Sequence, residues 1–274
     1  MAKVKVIALP SALFLSPDSQ LAEYLPLRLS LLEAEKENTR ARDKLARQRR
    51  ALPVVEVTTP YSFTSEDGKE VSLADLFDGR PQLIIYHLMF SPDWDEACAS
   101  CSLLGDSVPD LRHLNGHSTT FVAVSRAPID KIRAYKKRMG WSFPWVSSFG
   151  SSFNYDFGAT QDEAVKPVEY NFKDKAEMEK RGLAHFATGE QPGHSVFVLG
   201  GELTGIGDEE GKIYHSYSSY ARGGEPIINT FTWLDMTPLG RQDGLSGVGG
   251  LGFKRHDEYT TEDLKGLPIA KIGV

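Results

Sequence analysis

Cysteine is scarce: the 274 residues hold two, Cys98 and Cys101. A fold stapled by disulfides needs more of them, spaced to close long loops, so the pair reads as redox or metal chemistry instead. A second Cys-x-x-Cys is missing as well, which leaves a structural zinc site without its remaining ligands. Long apolar runs are absent; no stretch approaches the roughly 18 residues that span a bilayer. Nor is there an excess of basic residues. With 31 Lys and Arg against 37 Asp and Glu the net charge is −6, which argues against a general affinity for nucleic acid or acidic membrane surfaces. The segment 4–15, with Lys3 just before it and Lys5 near its start, has the apolar character of a short secretion signal. Pro10 interrupts it and no small-x-small cleavage site follows cleanly, so the expected setting is the cytoplasm.

A hydrophobic fraction of 41% is enough to bury a full core, and the reading is one core with attachments. Residues 1–17 read as an N-terminal arm and 18–52 as a helical extension. In the latter, Ser16, Asp18 or Ser19 are candidate caps, and Leu21, Tyr24, Leu25, Leu29 and Leu32 recur at helical spacing. Glu33, Glu35, Glu37 and Asp43 interleave with Arg40, Arg42, Lys44, Arg47, Arg49 and Arg50, as on a solvated helix rather than a nucleic-acid arm. The extension is a candidate for covering the core or for pairing two copies of the chain.

The main domain is read over 53–240. Residues 54–58 suit an edge strand, and 61–63 with 71–73 form a hairpin about Asp67-Gly68. Residues 83–90 are an almost unbroken apolar run, the pattern of a central strand covered on both faces. A helix over 102–114 with a kink at Pro109, a buried strand at 120–125, an amphipathic helix at 128–139 and a strand at 144–147 follow. Right-handed crossovers make this part of the sheet parallel. About 161–190 is polar, partly helical and reads as an insertion. Residues 195–199 and 212–217 then alternate as an antiparallel pair, and 226–234 suit a closing helix. The glycine-rich tail 241–274 reads as extended or loosely docked.

The chemistry centres on Cys98-Ala99-Ser100-Cys101, at the junction from strand to helix. Unpaired N–H groups at a helix start stabilise a thiolate and lower a cysteine pKa from about 8.5. Cys98, nearer the start, is the expected attacking sulfur; Cys101, one turn on, is in reach to resolve a mixed disulfide. Asp93, Asp95 and Glu96 work against the anion. Trp94 is a shield, a substrate platform or a packing anchor. Pro192, His194 and Ser195, in the loop before the antiparallel strand, are candidates for the second wall of the site, with a structural histidine as the rival reading of His194. His87, inside the apolar strand, reads as a core histidine. Arg126 and Arg222 are candidates for positive charge near the thiolate or for anion binding, and equally for ordinary ion pairs.

The block Tyr86-His87-Leu88-Met89-Phe90-Ser91-Pro92-Asp93-Trp94 through Cys98-Ala99-Ser100-Cys101-Ser102 resembles an uncharacterised family of thioredoxin-like proteins, a domain of unknown function distantly similar to peroxiredoxins. So do Val124-Ser125-Arg126-Ala127-Pro128, Phe143-Pro144-Trp145-Val146-Ser147-Ser148 and Tyr220-Ala221-Arg222-Gly223. The resemblance implies an α/β fold: a thioredoxin-like mixed sheet flanked by helices, carrying the long N-terminal helix and the helical insertion. For true peroxiredoxins the resemblance implies a proline and a threonine ahead of the reactive cysteine; here Asp95 stands three positions before Cys98 and Pro92 six before it.

The leading expectation is a thiol-disulfide oxidoreductase that needs no cofactor and acts on a protein or small-molecule thiol or disulfide. The alternatives are a Cu(I)-binding or metallochaperone-like protein using Cys98, Cys101 and His194, a peroxiredoxin-like peroxide reductase, and a non-catalytic binding protein that keeps the fold.

Overall fold

The computed structural model describes residues 17–207, 209–241 and 253–265. These fall into two compact units, Val54–Tyr259 and Met1–Pro53 with Thr260–Val274. The apolar segment 4–15 and the cap candidate Ser16 lie outside the described residues.

In the smaller unit, α1 (Pro17–Arg50) is a single 34-residue helix. Pro26 lies inside it, and its last turn is basic through Arg47, Arg49 and Arg50, which suits the negative end of the helix. Tyr24, Leu25, Leu27 and Leu29 are exposed. No helix among the described residues is long and apolar enough to cross a membrane.

The larger unit is built on one mixed sheet. Its strands, in chain order, are β1 (Val55–Glu56), β2 (Ser62–Thr64), β3 (Glu70–Ser72), β4 (Gln82–His87), β5 (Thr119–Ser125) and β6 (Trp145–Ser147). Two short pairs, β7 (Thr160–Gln161) with β10 (Gly189–Glu190) and β8 (Glu169–Tyr170) with β9 (Lys173–Asp174), interrupt the sequence before β11 (Gly193–Leu199) and β12 (Ile213–Tyr220) complete the sheet. Spatial order is β1-β12-β11-β4-β5-β6-β2-β3. β4, β5 and β6 run parallel, whereas β11 is antiparallel to both β4 and β12. A strand that leads into a helix, flanked by a parallel strand on one side and an antiparallel hairpin on the other, is the thioredoxin-like arrangement.

β4 explains its own composition. Leu83 and Ile85 enter a core with Val122, Val124, Phe153 and Phe197, while Tyr86 and Leu88 enter the opposite core with Ala123, Ile132, Trp145 and Phe231. Both faces are covered, so both phases of the period-two pattern are apolar. The helices on the second face are α2 (Ala99–Gly105), α3 (Leu111–Asn115), α4 (Ile129–Met139) and, near the carboxyl end of the unit, α7 (Asn229–Asp235). Two short helices, α5 (Phe153–Asp156) and α6 (Lys175–Lys180), lie between β6 and β10. A last turn, α8 (Thr261–Leu264), belongs to the smaller unit.

Two expectations change here. The helix read over 102–114 is two helices, α2 and α3, because Pro109 and its restricted neighbour Val108 break the chain outright and Asp110 caps a fresh start by accepting from the Arg112 amide. The tail is not loosely docked throughout: residues 253–258 belong to the larger unit, where His256–Glu258 form a 3-10 turn and Phe253 packs against Phe231 at 5.6 Å between ring centroids.

Candidate active site

Strand β4 delivers the chain to the site, and the loop 88–97 sets the cysteines. The Cys98 amide donates to the Met89 carbonyl at 3.0 Å, and Lys131 Nζ donates to the carbonyls of Pro92 and Trp94 at 2.8 and 2.9 Å. Cys98 then occupies the N-cap position of α2, with non-helical backbone angles, and Cys101 lies one turn inside the helix. Both thiols are free. Cys98 is partly exposed and Cys101 is 3% exposed. Tyr86 Oη donates to the Cys101 carbonyl at 3.2 Å, and Ser102 Oγ donates to the Cys98 carbonyl at 2.9 Å, so strand and helix hold the pair between them.

The two sulfurs differ in acidity. The Cys98 thiol is pulled down to about 6, first by the side chain of Cys101, whose S–H serves the anion, then by the backbone N–H groups of Cys101 and Ser100 and the positive charge of Arg255, against the opposing effect of burial. Cys101 is pushed well above the ordinary thiol value, by Cys98 itself and by burial. One sulfur is therefore an anion at neutral pH and the other keeps the proton that stabilises it.

Arg255 comes from the tail. Its Nε and Nη2 donate to the Ala97 carbonyl at 3.2 and 2.6 Å, the residue just before Cys98, and Nη1 pairs with Glu96 at 3.0 Å and with Glu258 at 2.7 Å. Arg138 pairs with Glu96 too and with Asp257 at 2.6 Å. Glu96 is thus neutralised, and Asp93 and Asp95 are exposed, where water screens them. The acidic loop does not prevent the thiolate for that reason.

In front of Cys98 lies a cavity of about 570 Å³. Of the residues singled out from sequence, Cys98, Cys101, Trp94, Pro192, His194 and Arg222 line it. Pro192 does so with a trans peptide, since no cis peptide bond occurs among the described residues. The His194 ring stacks on Tyr86 at 4.8 Å and 11°, because the two residues are register partners on β11 and β4. Burial lowers the His194 pKa to about 4, so the ring is neutral, and its Nε2 is buried without a hydrogen-bond partner. The Arg222 side chain is 85% exposed and pairs with Glu225 at 2.6 Å.

Ser195 and Arg126 are not brought to the cysteines. One residue along from His194, Ser195 points to the other face of the sheet, where its Oγ bonds His87 Nε2 and Ser218 Oγ, each at 2.9 Å. Ser218 in turn meets His215 Nε2 at 2.7 Å. Arg126 is committed to Glu190 at 2.8 Å and lies over the Tyr155 ring at 4.6 Å. The three-ligand set Cys98, Cys101 and His194 is not assembled either: among the described residues no three His, Cys, Asp or Glu side chains are grouped to hold a metal ion. His194 is spent on the Tyr86 stack instead.

Several lining residues were not singled out from the sequence. Phe186, Thr188, Gly189 and Glu190 come from the stretch read as an insertion, and Leu104 and Ile228 from helix positions that read simply as core. Leu104 is the only one of these whose placement had a local cue, lying one helical step beyond Cys101.

No curated protein matches the chain. Among solved structures it is similar to a cysteine-to-serine mutant of PrxQ from Xylella fastidiosa, at 13% identity over 66% of this chain and 95% of that one, with a TM-score of 0.37. It is also similar to a peroxiredoxin Q mutant from Xanthomonas campestris (12%, 66% and 98%, TM-score 0.37) and to the peroxidoxin BcpB from Mycobacterium tuberculosis (12%, 65% and 95%, TM-score 0.35). A family model covers residues 16–259, nearly the whole chain and every element of the site. The chain belongs to that family, described as "Bacterial protein of unknown function (DUF899)".

Proposed function

We propose that the protein is a thiol-disulfide oxidoreductase in which Cys98 attacks and Cys101 resolves. The observation that carries this reading is the division of labour between the sulfurs: a partly exposed thiol lowered to about 6 at the mouth of a cavity, and a buried thiol held protonated one turn behind it. A thiolate near its optimum for attack at neutral pH needs a pKa close to ambient, and a resolving thiol must stay silent until its neighbour is bonded. Once Cys98 forms a mixed disulfide, it no longer accepts the Cys101 proton. The principal cause of the raised Cys101 pKa then disappears, and the resolving thiol is freed to ionise. A cytoplasmic setting, where thiols are kept reduced, suits this chemistry.

Trapping tests it. A Cys101→Ser variant, mixed with small or protein disulfides, accumulates a mixed disulfide on Cys98 that peptide mass spectrometry locates, while Cys98→Ser accumulates none. If Cys101→Ser yields no adduct with any disulfide at neutral pH, the reading is wrong.

A further inference from the structure

The Cys98 sulfur faces a partly enclosed cavity. Its volume of about 570 Å³ is in the range that encloses an organic molecule of moderate size. Met89, Leu104, Phe186 and Ile228 supply apolar surface, and the rings of Trp94 and His194 supply flat faces. Besides the Cys98 thiolate, three charged side chains line it, and each of these three is already engaged: Glu190 by Arg126, and Arg222 and Glu225 by one another. Glu225 also holds Arg241 at 3.1 Å. Lining charges that are paired off offer little to an anionic or cationic substrate, whereas the apolar wall gains by excluding water. His194 is held in place from two sides. Tyr86 stacks on one face, and a Cβ at Gly224 would come within 3.0 Å of its Cε1, so the absent side chain at Gly224 is what lets the ring sit where it does.

We infer that the substrate is a small, neutral, predominantly apolar organic disulfide, its body held in the cavity against Leu104, Met89, Phe186 and Ile228 with one sulfur beside Cys98. The inference rests on the oxidoreductase reading and names its substrate class. The Cys98 thiolate attacks one sulfur of R–S–S–R, forming Cys98–S–S–R and expelling RS⁻, which takes a proton from solvent. Cys101 loses its proton and attacks the Cys98 sulfur, expelling the second RS⁻ and leaving a Cys98–Cys101 disulfide. Two electrons pass from the pair to the substrate, and an external dithiol returns the pair to its reduced form.

The test compares dibenzyl disulfide with the neutral but hydrophilic hydroxyethyl disulfide, each rate on the native chain divided by its rate with a free small thiol. The apolar reagent is expected to be favoured at least tenfold, and diphenylbutane, its redox-inert hydrocarbon counterpart, to slow alkylation of Cys98 by iodoacetamide. A Thr188→Trp substitution at the exposed rim is expected to erode both effects. Equal normalised rates with no protection by diphenylbutane, while Cys98 still reacts with both disulfides, overturn the substrate assignment and leave the oxidoreductase intact. Protection by diphenylbutane with neither disulfide reacting overturns the oxidoreductase and the substrate assignment with it, since the site then binds apolar molecules without exchanging thiols.

Discussion

Replacing Cys101 by alanine removes the group that contributes most to the acidity of Cys98 while leaving the helix amides and Arg255 in place. A hydrogen bond to a charged partner contributes about 1.5–3 kcal/mol, and about 1.4 kcal/mol corresponds to one pKa unit. The Cys98 midpoint should therefore climb from about 6 to between about 7 and 8. At pH 7 the thiolate fraction then drops from about nine-tenths to between about one half and one tenth. Iodoacetamide alkylation rate against pH reads the midpoint directly, and ultraviolet thiolate absorbance checks it. In the wild-type chain the titration is clean, because Cys101 ionises far above the range in which Cys98 does. Cys101→Ser is the control: its hydroxyl still donates, so its midpoint should lie closer to wild type than that of Cys101→Ala. Thermal melting verifies that the variants fold, since the lost sulfur is buried and its removal costs about 1 kcal/mol. The reasoning fails if alanine and wild type share a midpoint to within a few tenths of a unit, or if the wild-type midpoint lies near the ordinary thiol value of about 8.5.

Arg255→Gln removes a positive charge from beside Cys98 and both hydrogen bonds to the Ala97 carbonyl. A smaller rise of the Cys98 midpoint than Cys101→Ala gives is expected, together with about 1–3 kcal/mol of lost stability in denaturant unfolding, a combination Cys101→Ser should not reproduce. Ser195→Ala cuts the chain from His87 through Ser195 and Ser218 to His215, leaving the buried His87 Nε2 unpaired at a cost of about 1–3 kcal/mol, with no change in Cys98 alkylation. Burial holds His87 and His194 neutral, with folded values of about 3 and about 4 against about 6.5 when unfolded. Below pH 6.5 the unfolded chain binds protons that the folded chain refuses. Stability is therefore complete above that pH and falls as the solution is acidified, by up to about 1.4 kcal/mol per pH unit for each ring until its folded value is reached. Chemical unfolding at a series of pH values between about 7 and 4 checks this, and a flat profile contradicts it.

The features legible in the sequence are those whose cause is local. The apolar run of β4 and the Asp67-Gly68 turn, where Gly68 takes a φ of 82°, follow from patterns within about ten residues of chain, and β11 pairs with the next strand along the chain, β12. Cys98 and Cys101 are readable for the same reason, as a strand, a loop and a helix start in succession. The break at Pro109 is visible, but its kind is not: proline can bend a helix or end it, and the capping side chain of Asp110 decides in favour of ending it.

What the sequence could not supply was register and long-range pairing. His194 and Ser195 are adjacent polar residues on one strand, so alternation sends them to opposite faces, yet nothing local says which face holds the cysteines. Pairing His194 with Tyr86, and Ser195 with Ile85, decides it: Tyr86 shares the core of α2, and Ile85 does not. Arg126 looks as suitable as any arginine for supporting a thiolate, but β7 and β10 bring Glu190 to it and occupy its charge. The arginine that does lie beside Cys98 binds Ala97 across 158 positions of sequence, from a stretch whose composition suggests no fixed structure. The site thus draws the near part of its electrostatics from helix geometry that any strand-to-helix Cys-x-x-Cys possesses, and the far part from a tail contact specific to this chain. A chain cut before residue 253 would keep the first part and lose the second, so the acidity of Cys98 is a property of the whole larger unit rather than of its motif.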